Sequence, residues 1–332
     1  MDFFLYFCIM KYIIAAIVFI AIEFIYFAVA KKLNIVDKPN ERSSHSKVTL
    51  LGGGIVFYLS ILYFSLTNQL AYPWFLLGLT LIAIVSYIDD LHPLPSLFRM
   101  AVQLTTVALV LFQFHAFDLV AWKVVLVFAV AVGTINIYNF MDGVNGMLAA
   151  YSLVVLGTLA YIDLWVLPFV NIDLIVLPMI AVGIFAFLNF RTSARCFSGD
   201  VGSIVLGCLV LYLIGCLIQA TPTNNVGLSY LVFISVYLAD GGLTILKRML
   251  RGENILLPHR EHLYETLCNE HKIPHLYVSG SYALLQLVIN VGFFICNDKN
   301  LYAVSVALVL LMAYSAMFFV FKNGRAKTSP GQ

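Results

Sequence analysis

The sequence predicts an all-α membrane protein that crosses the bilayer about eleven times, and three observations lead to this fold class. Hydrophobic residues make up 62% of the 332 positions. Charged residues make up only 11%, whereas a typical soluble domain carries roughly 25%. The mean hydropathy of +0.95 excludes a water-soluble core, and also a disordered, collagen-like or coiled-coil chain. Backbone amides in lipid need internal partners, so we expect the spans to be helices.

Eleven apolar runs mark the expected spans, although the shortest are marginal for a bilayer. The runs cover residues 9–30, 49–67, 73–88, 97–114, 118–137, 145–163, 172–189, 201–219, 228–246, 277–296 and 301–321. No repeat or soluble domain interrupts them, so residues 1–332 are expected to form a single integral membrane domain. The N-terminal letters MDFFLYFCIMK lack a basic leader and a small-residue cleavage site, which predicts a retained first helix.

The basic residues predict which side of the membrane each loop faces. Of the 19 Lys and Arg residues, 16 fall on one side of the expected spans, while the other side has only Lys11, Lys123 and Lys299. Cytoplasmic loops carry such an excess, so we expect the N-terminus outside and the C-terminus in the cytoplasm. The cytoplasmic loops are then 31–54, 88–99, 136–147, 189–203 and 247–276.

Two function classes find no support in the composition. A net charge of +2 is too small to indicate a nucleic-acid partner. The six cysteines form no C-x-x-C pair and mostly lie inside apolar runs. We expect them to pack in the interior, without a disulfide framework or a zinc site.

The first cytoplasmic loop reads DKPNERSSHSKVTLLGGG. Arg42 and His45, with the two serines between them, could hydrogen-bond a phosphate. The three glycines could let the backbone approach an anion. The alternative is a solvated basic loop with a flexible glycine hinge, and the sequence leaves both open.

The third span ends in two adjacent carboxylates, Asp89 and Asp90. Two acids at the end of an apolar helix are costly to desolvate unless a cation or a proton compensates them. Arg99 and Gln103 follow on one face of the next span, one helical turn apart. The alternative is a helix end whose aspartates face water.

Two further loops carry acids and amides. The letters NIYNFMDGVNG place Asn136, Asn139 and Asp142 at the end of the fifth span, where they could contact a nucleobase or a ribose, or form a plain turn. In NFRTSARCFSGDVGS, which begins at Asn189, Asp200 could cap the next helix. Asp200 could equally be a carboxylate ligand of Mg2+, which prefers oxygen.

The last loop, RGENILLPHREHLYETLCNEHKIPH, holds four of the seven histidines, and the span before it contains one acid. His259 and His262 could donate hydrogen bonds to a phosphate or move a proton, or belong to an amphipathic surface helix. Asp240 is a functional candidate because it lies within a span. It could equally pair with Lys247 or Arg248, one to two turns further on.

These groups fall on one membrane face and together suit one chemistry. Several carboxylates with Arg and His favour Mg2+-assisted transfer of a phosphate group to or from a lipid-soluble molecule. No Walker A loop or dinucleotide fingerprint is present. An ion-coupled transporter and a catalytically inactive scaffold are the alternatives. A transporter would have charges on broken helices near the bilayer midplane, whereas the Gly and Pro breaks in this sequence are expected to lie at the loops.

Five motifs in order resemble the polyprenyl-phosphate N-acetylhexosamine-1-phosphate transferase superfamily. They are DKPNERSSH followed by GGG, the Asp-Asp pair with the following Arg and Gln, NIYNFMDGVNG, FSGDVGS and PHREHLY. The resemblance covers nearly the whole chain. It implies that a polyprenyl phosphate, undecaprenyl phosphate in bacteria, attacks the β-phosphate of a UDP-N-acetylhexosamine. The products would be polyprenyl-diphosphate-sugar and UMP.

The resemblance also implies roles for individual residues. Asp200 would ligate Mg2+, with Mn2+ as the alternative metal. Asp89 or Asp90 would engage the lipid phosphate, as a base or through a covalent intermediate. The nucleotide would lie near Asn136, Asn139, Asp142 and Asn189. His262 would contact phosphate or sugar, and Arg42, His45, Arg99 and His259 would complete the substrate site.

The resemblance implies a bacterial inner-membrane enzyme whose active site faces the cytoplasm. The Phe-Met-Asp-Gly and His-Leu-Tyr versions of the motifs are similar to the branch that starts surface polysaccharides such as O-antigen or capsule. Val48 and Leu51 replace Pro and Arg of many relatives, and Asn145 replaces a second Asp. The identity of the hexosamine and the oligomeric state, with a homodimer as one alternative, are left open.

Overall fold

The computed structural model describes residues 2–39, 47–222, 227–254 and 260–328, and these are almost entirely helical. The α-helices are α1 (Asp2–Leu33), α2 (Ile55–Thr67), α3 (Pro73–Leu91), α4 (Ser96–Gln113), α5 (Ala121–Phe140), α6 (Met147–Trp165), α7 (Asp173–Asn189), α8 (Gly199–Ala220), α9 (Ser235–Leu250), α10 (Leu263–Glu265), α11 (His275–Ile295) and α12 (Lys299–Thr328). Short 3₁₀ segments lie at Ala116–Asp118 and Gly227–Ile234, and a π-helical turn at Thr266–Glu270 follows α10. The predicted all-α polytopic fold is confirmed.

Eleven apolar helices coincide with the eleven expected runs. Within the described ranges, nine helical stretches are long and apolar enough to cross a membrane. The other two, α2 and α7, have 13 and 17 residues and are shorter apolar helices. The number of crossings and the orientation of the termini remain predictions.

The second run begins differently from the prediction. A helix was expected from residue 49, but α2 starts six residues later. Thr49–Leu50 forms strand β2, which pairs antiparallel with β1 (Val36–Asp37). Gly52 then turns the chain with a φ of 84°, a left-handed conformation that favours glycine. Because residues 49–50 pair as a strand and Gly52 turns the chain, α2 begins only at Ile55.

Helix α8 lies at the centre of the bundle. It is the most deeply buried of the candidate spans, and its own residues are apolar on nearly every face, as is typical of a buried helix. Helices α2, α3, α5 and α6 pack against it. Gly207 lets α8 pack closely against α5, because a Cβ at this position would lie 2.9 Å from the Tyr138 side chain. The N-terminus of this central helix carries Asp200, so the packing of the whole bundle fixes that position.

Candidate active site

The segments that carry the motifs meet at one end of the bundle. The first loop joins the segment before α8 through backbone hydrogen bonds from Gly53 to Phe197 (2.9 Å) and from Gly54 to Ser198 (3.0 Å). The amide of Phe197 donates in return to Leu50 (2.8 Å). The described part of the first loop is thereby fixed to the start of α8.

The glycines of the first loop serve close backbone packing. A Cβ at Gly54 would lie 2.3 Å from the Cα of Gly202 and 2.7 Å from the carbonyl oxygen of Ser198. The amides of Gly53 and Gly54 already donate to carbonyl oxygens. The sequence leaves an anion-binding loop and a flexible hinge open, and the structure shows a third arrangement in which these glycines let α2 approach α8.

Asp90 connects the end of α3 to the start of α8. Its Oδ1 accepts a hydrogen bond from the amide of Asp200 (2.8 Å), and its Oδ2 accepts one from the amide of Val201 (3.2 Å). A carboxylate at a helix N-terminus satisfies free amides and interacts favourably with the helix dipole. Gly199, at a φ of 72°, leaves room for it, because a Cβ there would lie 2.4 Å from Oδ2.

Asp89 belongs to an ion-pair group with Arg99 and Asp200. The Nη1 atom of Arg99 lies 2.6 Å from Oδ2 of Asp89 and 3.4 Å from Oδ2 of Asp200. Asp89 also accepts the amide of Leu94 at 2.6 Å. The side chain of Asp89 is only 9% exposed, so Asp89 is not an aspartate that faces water at a helix end.

Asp142 and Asn139 approach the same group from α5. Asn139 hydrogen-bonds the side chain of Asp200, and the hydroxyl of Ser198 donates to Oδ2 of Asp142. Burial raises the pKa of Asp142 to about 8, the Ser198 hydrogen bond opposes this, and the charges of Asp200 and Asp90 add to it. Ser198 is a site residue that the sequence did not single out, although its place two residues before Asp200 could have suggested it.

Two other predicted substrate contacts have partners inside the protein. Asn136 and Gln103 exchange side-chain hydrogen bonds of 2.7 and 3.2 Å. Asn189 accepts the amide of Gly146 at 2.6 Å and donates to the carbonyl of Cys196 at 2.8 Å. Both residues hold neighbouring segments together, and their contact with a nucleotide remains a prediction.

His262 lies beside the α5–α6 loop. It is 2% exposed, and its ring centroid lies 5.9 Å from that of Phe140 and 5.8 Å from that of Tyr264. The hydroxyl of Tyr264 donates to the carbonyl of Phe140 at 2.7 Å. Gly143 accommodates this contact, since a Cβ there would lie 2.2 Å from the Tyr264 hydroxyl.

Asp240 does not pair with the cations that follow it in α9. Arg248 pairs with Glu253 (3.0 Å) and Lys247 with Glu261 (3.5 Å), so that alternative is wrong. Asp240 instead accepts hydrogen bonds from the amides at the start of α10. Three predicted substrate residues lie outside the described ranges, namely Arg42, His45 and His259.

The donor set fits Mg2+ with few protein ligands. In the described part of the chain, no three His, Cys, Asp or Glu residues form a ready metal cage. Mg2+ commonly binds through one or two carboxylates together with substrate phosphates and waters. Asp200 suits this role, because its side chain is 28% exposed and lies among Asp89, Asp90 and Asp142. Such an excess of carboxylates favours a cation.

Comparison with known proteins identifies the family. Residues 72–217 match the model of glycosyl transferase family 4. The chain is 30% identical over 268 residues to the undecaprenyl-phosphate alpha-N-acetylglucosaminyl 1-phosphate transferase of Yersinia pestis. The aligned region covers 72% of this chain and 71% of the relative. The chain belongs to the polyprenyl-phosphate hexosamine-1-phosphate transferase superfamily.

Two more members of the superfamily show similar coverage. The Escherichia coli K12 protein of the same name is 27% identical over 268 residues, covering 74% of this chain and 72% of the relative. A probable undecaprenyl-phosphate N-acetylglucosaminyl 1-phosphate transferase of Bacillus subtilis strain 168 is 24% identical over 257 residues, covering 72% and 71%. The family-model match includes all four clustered aspartates and ends before His262.

Proposed function

We propose that this protein transfers N-acetylhexosamine-1-phosphate from a UDP-N-acetylhexosamine to undecaprenyl phosphate. An oxygen of the lipid phosphate attacks the β-phosphorus of the donor. The bond from that phosphorus to the bridging oxygen breaks, and UMP leaves with the bridging oxygen. The observation that carries the proposal is the group of Asp89, Arg99 and Asp200 at the end of a buried membrane helix. The relatives' names support undecaprenyl phosphate as the acceptor.

Asp200 and Arg99 are the groups that would hold the diphosphate. Asp200 has the more exposed carboxylate of the ion-pair group and would ligate Mg2+. The bound metal supplies positive charge that offsets the charge of the diphosphate during transfer. Arg99 can exchange a carboxylate for a phosphate oxygen, since guanidinium groups bind both.

Asp89 is better placed than Asp90 to engage the lipid phosphate. Both oxygens of Asp90 accept backbone amides, so its role is to hold the start of α8. Asp89 has an oxygen directed at Arg99, which a phosphate can displace. Asn139 and Asp142 lie beside Asp200 and would face the nucleotide, and His262 would contact phosphate or sugar.

The reaction would be the first membrane step of cell-surface polysaccharide synthesis. We place it at the cytoplasmic face of a bacterial inner membrane, because the basic loops and the nucleotide donor belong on that side. The motif version favours the O-antigen or capsule type of pathway. Membership of a transferase superfamily argues against the transporter alternative.

The test is UMP release by the purified protein in detergent with undecaprenyl phosphate, Mg2+ and a panel of UDP-N-acetylhexosamines. Release is expected to require both the lipid and the metal, and chelation should abolish it. Asp200→Asn should lower the rate on the order of a hundredfold or more, because it removes a metal-binding charge.

A matched control is Asp298→Asn. Asp298 is also an aspartate at the start of a helix, where it accepts the amide of Leu301 at 2.9 Å, but it lies at the opposite end of the bundle. Its activity should stay close to wild type. Full Mg2+-dependent activity of Asp200→Asn would exclude the metal assignment, and no release by folded wild type with any donor would exclude the function.

A further inference from the structure

Asp240 is a buried carboxylate that serves none of the roles considered so far. It lies within α9 and is fully buried. Its Oδ1 accepts the amide of Leu263 at 2.9 Å, and its Oδ2 accepts the amide of Tyr264 at 3.3 Å. The hydroxyl of Tyr282 on α11 also donates to Oδ2, at 2.6 Å. A single side chain therefore connects α9, α10 and α11.

The same carboxylate faces the imidazole of His262. Nδ1 of His262 lies 3.5 Å from Oδ1 of Asp240. The rings of Phe140 and Tyr264 lie near this imidazole, and Oε2 of Glu265 accepts the backbone amide of His262 at 3.3 Å. Asp240 is thus the acidic group that lies against the Nδ1 edge of His262 in the described structure.

The use of a carboxylate at this position asks for an explanation. A buried charge is costly, and within the described residues Asp240 has no Lys or Arg within ion-pair distance. The two oxygens of Asp240 accept two amides and a hydroxyl, which an amide side chain with one oxygen could not do. A carboxylate next to an imidazole also fixes which ring nitrogen carries the proton and how the ring is oriented.

We propose that Asp240 is a positioning residue for the transfer reaction and acts through His262. It holds the backbone of residues 263–264 and orients the His262 ring beside the α5–α6 loop. The inference rests on the proposed function, because it assigns a role in the same site. The chemistry resembles other carboxylate–imidazole pairs, in which the acid touches no substrate but sets the geometry of the histidine.

A double-mutant cycle of Asp240→Asn and His262→Asn tests the proposal. The readout is kcat/KM for transfer of radiolabelled sugar phosphate to undecaprenyl phosphate. Asp240→Asn alone should lower kcat/KM about tenfold or more, as expected for the loss of the charge that faces a buried imidazole. In the His262→Asn background it should have less than about a twofold further effect, since residues that act as a unit are non-additive. Multiplicative losses would overturn the proposal.

Two more variants keep the test decisive. Tyr282→Phe removes a single hydrogen bond to Asp240, so it can replace Asp240→Asn in the cycle if that variant fails to fold. It should lower kcat/KM a few fold in wild type and have no effect in the His262→Asn background. Asp240→Glu retains the charge and should recover part of the activity lost in Asp240→Asn. An equal loss in the Glu variant would argue against the carboxylate's role.

Asp163→Asn is the matched control. Asp163 is also a buried carboxylate that accepts two backbone amides, those of Phe169 (2.8 Å) and Val170 (3.0 Å), but it lies at the far end of α6 from the site. Its kcat/KM should remain within about twofold of wild type. A loss as large as that of Asp240→Asn would refute positioning by Asp240. An inactive wild type would instead refute the proposed function itself.

Discussion

At the residue scale, three of the clustered acids are held by different kinds of donor. Asp89 pairs with a guanidinium, Asp90 accepts two backbone amides and Asp142 accepts a hydroxyl. Asp89 and Asp90 are neighbours of the same residue type, so the sequence could not divide their roles. The hydrogen-bond partners divide them, because Asp90 holds a helix while Asp89 faces a cation that a substrate can displace.

Asn145→Asp is expected to destabilise the protein. The side-chain nitrogen Nδ2 of Asn145 donates to the backbone carbonyl oxygens of Arg191 (2.8 Å) and Thr192 (3.3 Å). A carboxylate would face two acceptors, at a cost of roughly 1–3 kcal/mol. Thermal unfolding in detergent should show a lower Tm, whereas Asn171→Asp, at an exposed amide, should change it little. An unchanged Tm for Asn145→Asp would contradict the assigned contact.

Glu265 predicts a pH dependence of stability. Burial raises the pKa of Glu265 to about 7, with opposition from His262. An acid with a raised pKa stabilises the fold while it is protonated, and this contribution is lost as the pH rises through that value. Relative to Glu265→Gln, wild type should therefore lose stability as the pH rises from about 5 to about 7. Thermal unfolding at a series of pH values measures the difference.

Glu261→Gln is the control for that experiment. Burial alone would raise the pKa of Glu261, but the hydrogen bond and charge of Arg251 lower it overall. Glu261 thus contributes stability above its ordinary pKa and loses it only at lower pH. The difference between wild type and Glu261→Gln should stay constant between pH ~5 and ~7. The same trend in both variants would refute the separate environments.

At the element scale, the contact between α2 and α8 depends on the absence of side chains. Gly54→Ala should destabilise the protein by about 1–3 kcal/mol, because the new Cβ would lie 2.3 Å from the Cα of Gly202. UMP release should fall with it, since the first loop would be displaced from α8. In Gly183→Ala no atom beyond the neighbouring backbone of α7 lies within 4 Å of the new Cβ, so stability should be unchanged or slightly higher. Equal Tm values for the two variants would contradict the packing.

Helix positions could be predicted from the sequence because hydropathy is a property of each segment. The start of α2 could not, because it depends on the pairing of two short strands, β1 and β2, within the first loop. The motif segments were also found in the sequence, as polar groups between apolar runs. Their partners were not, because Asp90 and Asp200 are joined only when α3 packs beside α8. Asn189 and Gly146 likewise meet only when α7 packs beside α6.

At the scale of the whole molecule, the orientation in the membrane can be tested by cysteine labelling. Ser193→Cys and Asp118→Cys place thiols at exposed positions near opposite ends of the bundle. The charge bias predicts that a membrane-impermeant maleimide labels Asp118→Cys in intact cells. Ser193→Cys should react only after the membrane is opened. Wild type is the background control, because four of its five described free cysteines are buried. Reversed labelling would contradict the predicted orientation.

Arg99 bridges two carboxylates of the protein, and this has a consequence for the proposed reaction cycle. An incoming phosphate must compete with Asp89 and Asp200 for the guanidinium. The protein's own anions therefore act as an internal competitor that limits how tightly any substrate is held. The same competitor reclaims Arg99 once the diphosphate bond has been exchanged. Turnover would gain from this arrangement, because both products carry phosphates and must leave.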